Sequence, residues 1–95
     1  MKGYWFVVSG GITDAEARQE YGRLWKPIAE KYKAKINPMA EPVMMPEVHG
    51  TERVVVVEFP SLADAKACYE DPAYQEAKEF AIKASQRELF IFEAG

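Results

Sequence analysis

The segment Arg53–Phe59, RVVVVEF, decides the fold of this 95-residue chain. Four consecutive valines are typical of a β-strand, because β-branched side chains pack well on a pleated sheet. The run shows no alternation of apolar and polar residues, and such runs belong to strands that are covered on both faces. We therefore expect this strand to lie inside a sheet with packed material on either side.

Two other segments are predicted to be strands. Tyr4–Val8 (YWFVV) consists of aromatic and β-branched residues, and a Ser-Gly-Gly sequence ends it. Leu89–Phe92 (LFIF) is, like the valine run, apolar on both faces. Three strands of this kind predict a sheet whose two faces are both largely apolar.

Residues 35–50 form the least regular part of the chain. Three prolines recur there at intervals of four residues, and a central strand does not tolerate so many missing hydrogen-bond donors. We expect an edge strand, a bulged strand or a loop, with Val43–Met45 as the best strand candidate. The His49-Gly50 dipeptide that follows predicts a turn.

A helix is predicted after the first strand. Thr13–Glu16 (TDAE) fits a capping box, in which Thr13 caps the helix and Glu16 reaches back. Pro27 removes one hydrogen bond inside this helix, so we expect either a kink or a split into two helices. Five large side chains recur at helical spacing and share one face: Tyr21, Leu24, Trp25, Ile28 and Tyr32.

A second helical region follows the valine strand. Ser61 provides a capping signal for a short helix that is expected to run to about Glu70. Asp71-Pro72 then restarts the chain as cap and first helical residue, and a further helix is predicted to run to about Ser85. Its buried side is expected to contain Tyr74, Ala77, Phe80, Ala81 and Ala84.

The order strand, helix, edge strand, strand, helix, strand is the split βαβ or ferredoxin-like order. We predict an α+β fold in which residues 1–95 form a single domain around a four-stranded antiparallel sheet. Right-handed crossovers place the helices on one face of this sheet. The other face is apolar but has no cover from its own chain, and monomers avoid such patches. We therefore expect a two-fold homodimer that packs sheet against sheet.

The sequence resembles a known family at three places. They are the first strand with the ITD motif at 12–14, the segment Val55–Leu62 (VVVEFPSL) with Ala65, and the YxDPxYQ pattern at 69–75. Together they are similar to the uncharacterised family catalogued as domain of unknown function 1330, in the dimeric α+β barrel superfamily. The resemblance implies a ferredoxin-like fold whose sheets pair into a dimeric barrel. It implies no activity, although the superfamily includes cofactor-independent monooxygenases, isomerases of small ring compounds, haem-handling enzymes and ligand-sensing modules.

Composition argues against several classes of function. Twelve Lys and Arg against fifteen Asp and Glu give a formal net charge of −3, which argues against nucleic acid as a partner. A single cysteine excludes an internal disulfide and a Cys-rich zinc site, and no apolar run has the length of a membrane span. We expect a cytoplasmic protein with no cofactor, no metal and no membrane partner.

Two residues are predicted to be catalytic, each against a structural alternative. Glu58 ends the valine run, where a buried carboxyl group could serve as general acid or base. The alternative, which we favour, is a wet strand end or an ion pair at the dimer interface. His49 is the single histidine, and histidine is the side chain most easily tuned for proton transfer near neutral pH. The turn signals favour a solvated loop histidine instead.

Four aromatic side chains are predicted to bind a ligand: Tyr21, Trp25, Tyr32 and Tyr74. Aromatic walls with hydroxyl tips suit a flat molecule. The same spacing is also typical of aromatic groups that pack in a core, with their hydroxyl groups at the rim.

Two hypotheses about function follow. In the first, a small homodimer binds a small, partly apolar molecule between sheet and helices and, if it is an enzyme, performs cofactor-independent oxygenation or isomerisation. In the second, the protein is a non-enzymatic ligand-sensing or assembly module whose dimer is the functional unit. The surroundings of Glu58 distinguish the two, because a void beside it favours the enzyme and a cation partner favours the module.

Overall fold

The computed structural model describes residues 1–95 and contains four strands and three helices. The strands are β1 (Lys2–Ser9), β2 (Lys35–Ile36), β3 (Arg53–Phe59) and β4 (Arg87–Ala94). The helices are α1 (Ala15–Lys31), α2 (Leu62–Glu70) and α3 (Pro72–Ala84). This order confirms the predicted α+β, ferredoxin-like succession of elements.

The four strands form one antiparallel sheet in the order β2-β3-β1-β4. In the centre, Trp5 of β1 lies opposite Val57 of β3 on one side and Ile91 of β4 on the other. The valine strand β3 is thus an inner strand, as its uninterrupted apolar run predicts. The short strand β2 forms the edge beside it.

The two faces of the sheet have different surroundings. Gly3, Trp5 and Val7 of β1 are buried under the helices, whereas the residues between them are only half-buried. On the opposite face, Phe90 and Phe92 of β4 are 50% and 43% exposed to solvent. Side chains alternate along a strand, so this pattern shows one face covered by helices and one open, largely apolar face.

Hydrogen bonds show where each helix begins. The side chain of Asp14 accepts a hydrogen bond from the Ala17 amide at 3.0 Å, so Asp14 caps α1 and the prediction of Thr13 as the cap is wrong by one residue. Thr13 is turned toward α3 instead, and its amide donates to the carbonyl of Ala84 at 2.8 Å. The helix is continuous through Pro27, so the alternative of two separate helices is wrong.

The predicted caps of the other two helices are confirmed. Ser61 Oγ accepts from the amide of Asp64 at 3.1 Å at the start of α2. Asp71 Oδ1 accepts from the amide of Ala73 at 2.9 Å, and Pro72 is the first residue of α3.

The prediction that Val43–Met45 is the best strand candidate is wrong, because the edge strand ends at Ile36. Asn37 follows with a φ of +47° and turns the chain away from the sheet. Its amide donates to the Val56 carbonyl at 2.6 Å, and its side-chain oxygen accepts from the Val56 amide at 2.9 Å. Asn37 thereby satisfies both backbone groups of Val56, and no strand is needed beyond it.

The core lies between the sheet and the helices and is centred on Trp5, which is 1% exposed. The Trp5 indole donates to the carbonyl of Ala65 at 2.9 Å, so the large ring carries no unpaired polar atom. Its ring packs against four other aromatic side chains: Trp25, Phe59, Tyr69 and Tyr74. The predicted buried side of α3 is confirmed at Tyr74, Ala77, Ala81 and Ala84, while Phe80 is half-buried.

Candidate functional site

A cavity of about 340 Å³ opens between the helix-covered face of the sheet and α1. Its floor consists of apolar side chains of the two central strands: Trp5, Val7, Val55 and Val57. This volume lies near the lower end of the range for small-molecule sites, about 300–1,000 Å³. The cavity is therefore large enough for a small ligand.

The wall of the cavity is aromatic and comes from α1. Tyr21 and Trp25 are one helical turn apart, and their ring planes differ by only 4° with centroids 6.4 Å apart. The Trp25 ring also lies 5.5 Å from that of Trp5 in the floor. Contact with the core holds these rings in place, so the wall is formed before any ligand arrives.

Three arginines line the same cavity: Arg18, Arg53 and Arg87. Sequence reasoning missed all three. Arg53 and Arg87 are the first residues of β3 and β4, and both lie opposite Ser9 at the end of β1. No aspartate or glutamate lines the cavity. The end of the cavity that carries the arginines is consequently positive, while most of the other lining residues are apolar.

Arg87 is held by two tyrosines. Its guanidinium group donates to Tyr74 Oη at 3.5 Å and lies 5.4 Å from the centre of the Tyr21 ring. The two tyrosine hydroxyls are themselves 3.2 Å apart. Burial acts to lower the pKa of Arg87, but the neighbouring oxygens of Tyr74 and Tyr21 outweigh burial and raise its pKa overall.

The predicted ligand-binding residues divide into two pairs. Tyr21 and Trp25 line the cavity, as described above, whereas Tyr32 and Tyr74 do not. Tyr74 is fully buried, and its burial raises the pKa of its phenol group. Tyr32 donates to Asp71 Oδ2 at 2.6 Å, on a different part of the surface. The structure therefore brings only half of the predicted aromatic set to one place.

Glu58 lies on the open face of the sheet, opposite Tyr4 of β1, and does not line the cavity. Its carboxylate is 3.3 Å from Lys2 Nζ and accepts a hydrogen bond of 3.4 Å from the Tyr4 hydroxyl. The carboxylate thus has a cation partner, Lys2.

His49 is exposed in the segment between β2 and β3 and does not line the cavity either. It precedes Gly50, whose φ of +87° provides the bend that the sequence predicts. Neither of the two predicted catalytic residues is therefore brought to the cavity. No group of three or more His, Cys, Asp or Glu side chains is arranged to hold a metal ion.

Residues 2–94 match the protein family described as Domain of unknown function (DUF1330). The chain belongs to this family. Among curated proteins, none matches the sequence of this DUF1330 member. None of its helices combines the length and the apolar character that crossing a membrane requires.

Solved structures share the fold of this DUF1330 member at low identity. A protein of unknown function from Rhodopseudomonas palustris is 21% identical, with 98% of this chain and 82% of that chain covered and a TM-score of 0.67. A dimeric protein of unknown function with a ferredoxin-like fold, from Bacteroides fragilis, is 15% identical, with coverage of 98% and 96% and a TM-score of 0.54. A putative antibiotic biosynthesis monooxygenase from Nitrosomonas europaea is 14% identical, with coverage of 97% and 89% and a TM-score of 0.54. These similarities establish the ferredoxin-like fold.

Proposed function

We infer that this protein binds a small, partly apolar molecule in the cavity between α1 and the sheet. The observation that carries this proposal is a cavity of about 340 Å³ between α1 and the helix-covered face of the sheet. An apolar floor and an aromatic wall with a few polar groups at one end are the usual features of a small-molecule site.

To test this proposal, a larger side chain is placed in the cavity, and the binding of a small ligand is measured with and without it. Val55 points into the cavity from β3, and a phenylalanine at this position occupies the space of a ligand. In ¹⁵N-labelled protein titrated with indole, we expect the amide signals of Tyr21 and Trp25 to shift. The Val55→Phe substitution should weaken indole binding by roughly tenfold or more, because most of the buried contact area is lost.

The matched control is Val54→Phe. Val54 is the preceding residue of the same strand and lies on the opposite face of the sheet. Its substitution makes the same chemical change without entering the cavity, so indole binding should be unchanged. Equal effects of the two substitutions, or indole-induced shifts that lie away from the cavity, would contradict the proposal.

The homodimer is the second part of this proposal. The open face of the sheet carries apolar side chains on three strands, with Phe6 against Phe90 and Tyr4 stacked on Phe92. A second copy related by a two-fold axis would cover this face with an identical one. The description of the Bacteroides fragilis neighbour as dimeric gives further support.

The ion pair between Glu58 and Lys2 favours a binding or sensing module over an enzyme that uses Glu58. The fold shared with the putative monooxygenase keeps a cofactor-independent oxygenase as the second candidate. The double variant Glu58→Gln with His49→Ala tests the predicted catalytic residues. If an identified reaction continues at the wild-type rate in this variant, neither residue is catalytic.

A further inference from the structure

We propose that the ligand of this cavity is an organic anion, in which a carboxylate is joined to a flat, largely apolar body, and that Arg53, Arg87 and Ser9 bind the carboxylate. This inference rests on the proposed binding function and specifies its ligand class. Charge is unequally distributed around the cavity, which three arginines but no carboxylates line.

The arginines of the cavity have no acidic partner. The ion pairs of the chain join Lys2 to Glu58, Arg23 to Glu20 and Lys31 to Asp71, and they include none of the three cavity arginines. The whole chain has a net charge of −3, so carboxylates are in excess elsewhere. Three cations without a carboxylate in a half-apolar cavity create a field that favours an anion.

The sheet places two of these arginines on either side of one hydroxyl group. Arg53, Ser9 and Arg87 occupy one row across β3, β1 and β4, because Ser9 pairs with both arginines. Neighbouring strands are about 4.8 Å apart, so the two arginine backbones are about 10 Å apart. Two long side chains that start at this separation can converge on a group held above Ser9. Forked guanidinium groups match the geometry of a carboxylate.

The neighbours of Arg87 restrict its position and leave its charge unneutralised. Arg87 contacts the side chains of Tyr74 and Tyr21, and neither of them is a carboxylate. A half-buried guanidinium held this way has lost part of its hydration without gaining a counter-ion. A carboxylate provides the missing negative charge, so its binding is stronger than that of a neutral group of the same shape.

Arg18 of α1 borders the cavity from the helix side. Its guanidinium lies over Gly22 and would be 3.3 Å from a Cβ atom at that position, so the glycine leaves room for it. The apolar walls lie next to this positive end. A ligand with an acid group at one end and a ring at the other would match both parts at once.

The test uses pairs of ligands that differ in charge alone. Benzoate, phenylacetate and 2-naphthoate are each titrated beside their primary amides, and ¹⁵N chemical shifts report both affinity and position. We expect at least one acid to shift the signals of Ser9, Arg53 and Arg87 and to bind on the order of tenfold more tightly than its amide.

Substitutions of the cavity arginines test whether the preference for the acid over the amide arises in the cavity. Arg53→Gln should reduce the affinity for the acid by on the order of tenfold while leaving the amide unchanged. Arg87→Gln should do the same, and Arg53→Gln provides the test if the loss of the Tyr74 contact prevents folding of the Arg87 variant. The control is Arg23→Gln, which removes an arginine from the exposed side of α1, and it should leave the preference unchanged.

Equal binding of acid and amide within the cavity would refute the anion inference and leave the proposed binding function standing. An acid preference that survives both Arg53→Gln and Arg87→Gln would also refute it. If no acid and no amide shifts any signal of the cavity, the anion inference is wrong, and the proposed function falls with it only if indole also fails to bind there.

Discussion

Gly3 lets strand β1 pack directly against the start of helix α2. A Cβ atom at Gly3 would clash with the carbonyl oxygen of Ser61 and lie 2.6 Å from the Cα atom of Leu62. Both are backbone atoms at the start of α2 and cannot move aside. We expect Gly3→Ala to lower the free energy of unfolding by about 1–3 kcal/mol, the usual cost of overpacking. Urea denaturation followed by circular dichroism measures this change.

Gly10 provides the matched control for that substitution. A Cβ atom there would meet only the carbonyl oxygen of Gly50, at 3.6 Å, which is an ordinary contact. The free energy of unfolding should change little in Gly10→Ala. A Gly3→Ala variant as stable as Gly10→Ala would show that the close packing of β1 on α2 is not required.

Cys68 is the one cysteine of the chain and is fully buried. Burial, assisted by the nearby negative charge of Asp71, raises the pKa of its thiol to about 12. Because the thiolate is the reactive form, we expect iodoacetamide to label the folded protein at least about a hundredfold more slowly than the urea-unfolded chain. Mass spectrometry of timed samples measures both rates. Equal rates would mean that the thiol is accessible in the folded state.

At the scale of elements, Asp71 joins the end of α1 to the start of α3. Its Oδ2 atom accepts from Lys31 Nζ at 2.8 Å and from the Tyr32 hydroxyl at 2.6 Å, while Oδ1 caps α3. The hydrogen bond from Lys31, followed by those from Tyr32 and Ala73, lowers the pKa of Asp71 to about 2. An unfolded aspartate has a pKa of about 3.9. The folded state therefore binds this proton less readily than the unfolded chain does.

The sign of the pH dependence follows from this difference. The stabilisation by Asp71 is fully present above about pH 4 and is lost as the pH falls toward 2. We expect Asp71→Asn to melt at a lower temperature than the wild type at pH 7. The difference between the two melting temperatures should shrink as the pH falls toward 2, because the Asp71 carboxylate then becomes increasingly protonated.

Asp14 serves as the control for that pH series. It caps α1 through the Ala17 amide but forms no ion pair, and asparagine is an equally good cap. Asp14→Asn should follow the wild-type melting curve much more closely at pH 7. A constant difference between Asp71→Asn and the wild type from pH 7 to pH 2 would show that the charge of Asp71 is not the cause.

The elements that the sequence predicts correctly are those determined by local residues. The caps at Ser61 and Asp71 depend on bonds to amides only two or three residues away. The shift from Thr13 to Asp14 has a non-local cause, because the Thr13 amide is taken by Ala84 of α3. The end of β2 depends likewise on a contact between Asn37 and Val56 that spans nineteen positions.

The cavity was predictable only in part for the same reason. Tyr21 and Trp25 lie on one helical face, a pattern visible in the sequence. Arg18, Arg53 and Arg87 come from three different elements and meet only through sheet register and helix packing. The alternation along β3 does place Glu58 on the same face as Val54 and Val56. The sequence of β3 alone does not determine which face of the sheet the helices cover. The packing of the helices on the sheet determines it.

At the scale of the whole molecule, the two faces of the sheet have separate proposed roles. The helix-covered face carries the cavity with its arginines, and the open face carries the aromatic pairs of β1 and β4. Only the thickness of one sheet separates them. A dimer that covers the open face would therefore leave both cavities of the pair accessible from their helix side.

The aromatic side chains of the open face should determine whether the proposed dimer forms. Phe90 lies opposite Phe6, with ring centroids 6.3 Å apart, and is 50% exposed in a single chain. A lysine at this position would place two charges at a two-fold interface. We expect Phe90→Lys to raise the dissociation constant of the dimer by roughly 30-fold or more, as for a buried aromatic hot spot worth about 2 kcal/mol. Size-exclusion chromatography with light scattering measures the mass. The control, Ile82→Lys, alters a similarly exposed side chain (61%) on α3, away from the sheet, and should remain dimeric. A monomeric wild type would refute the dimer, and a dimer lost in Ile82→Lys but kept in Phe90→Lys would place the interface on the helices.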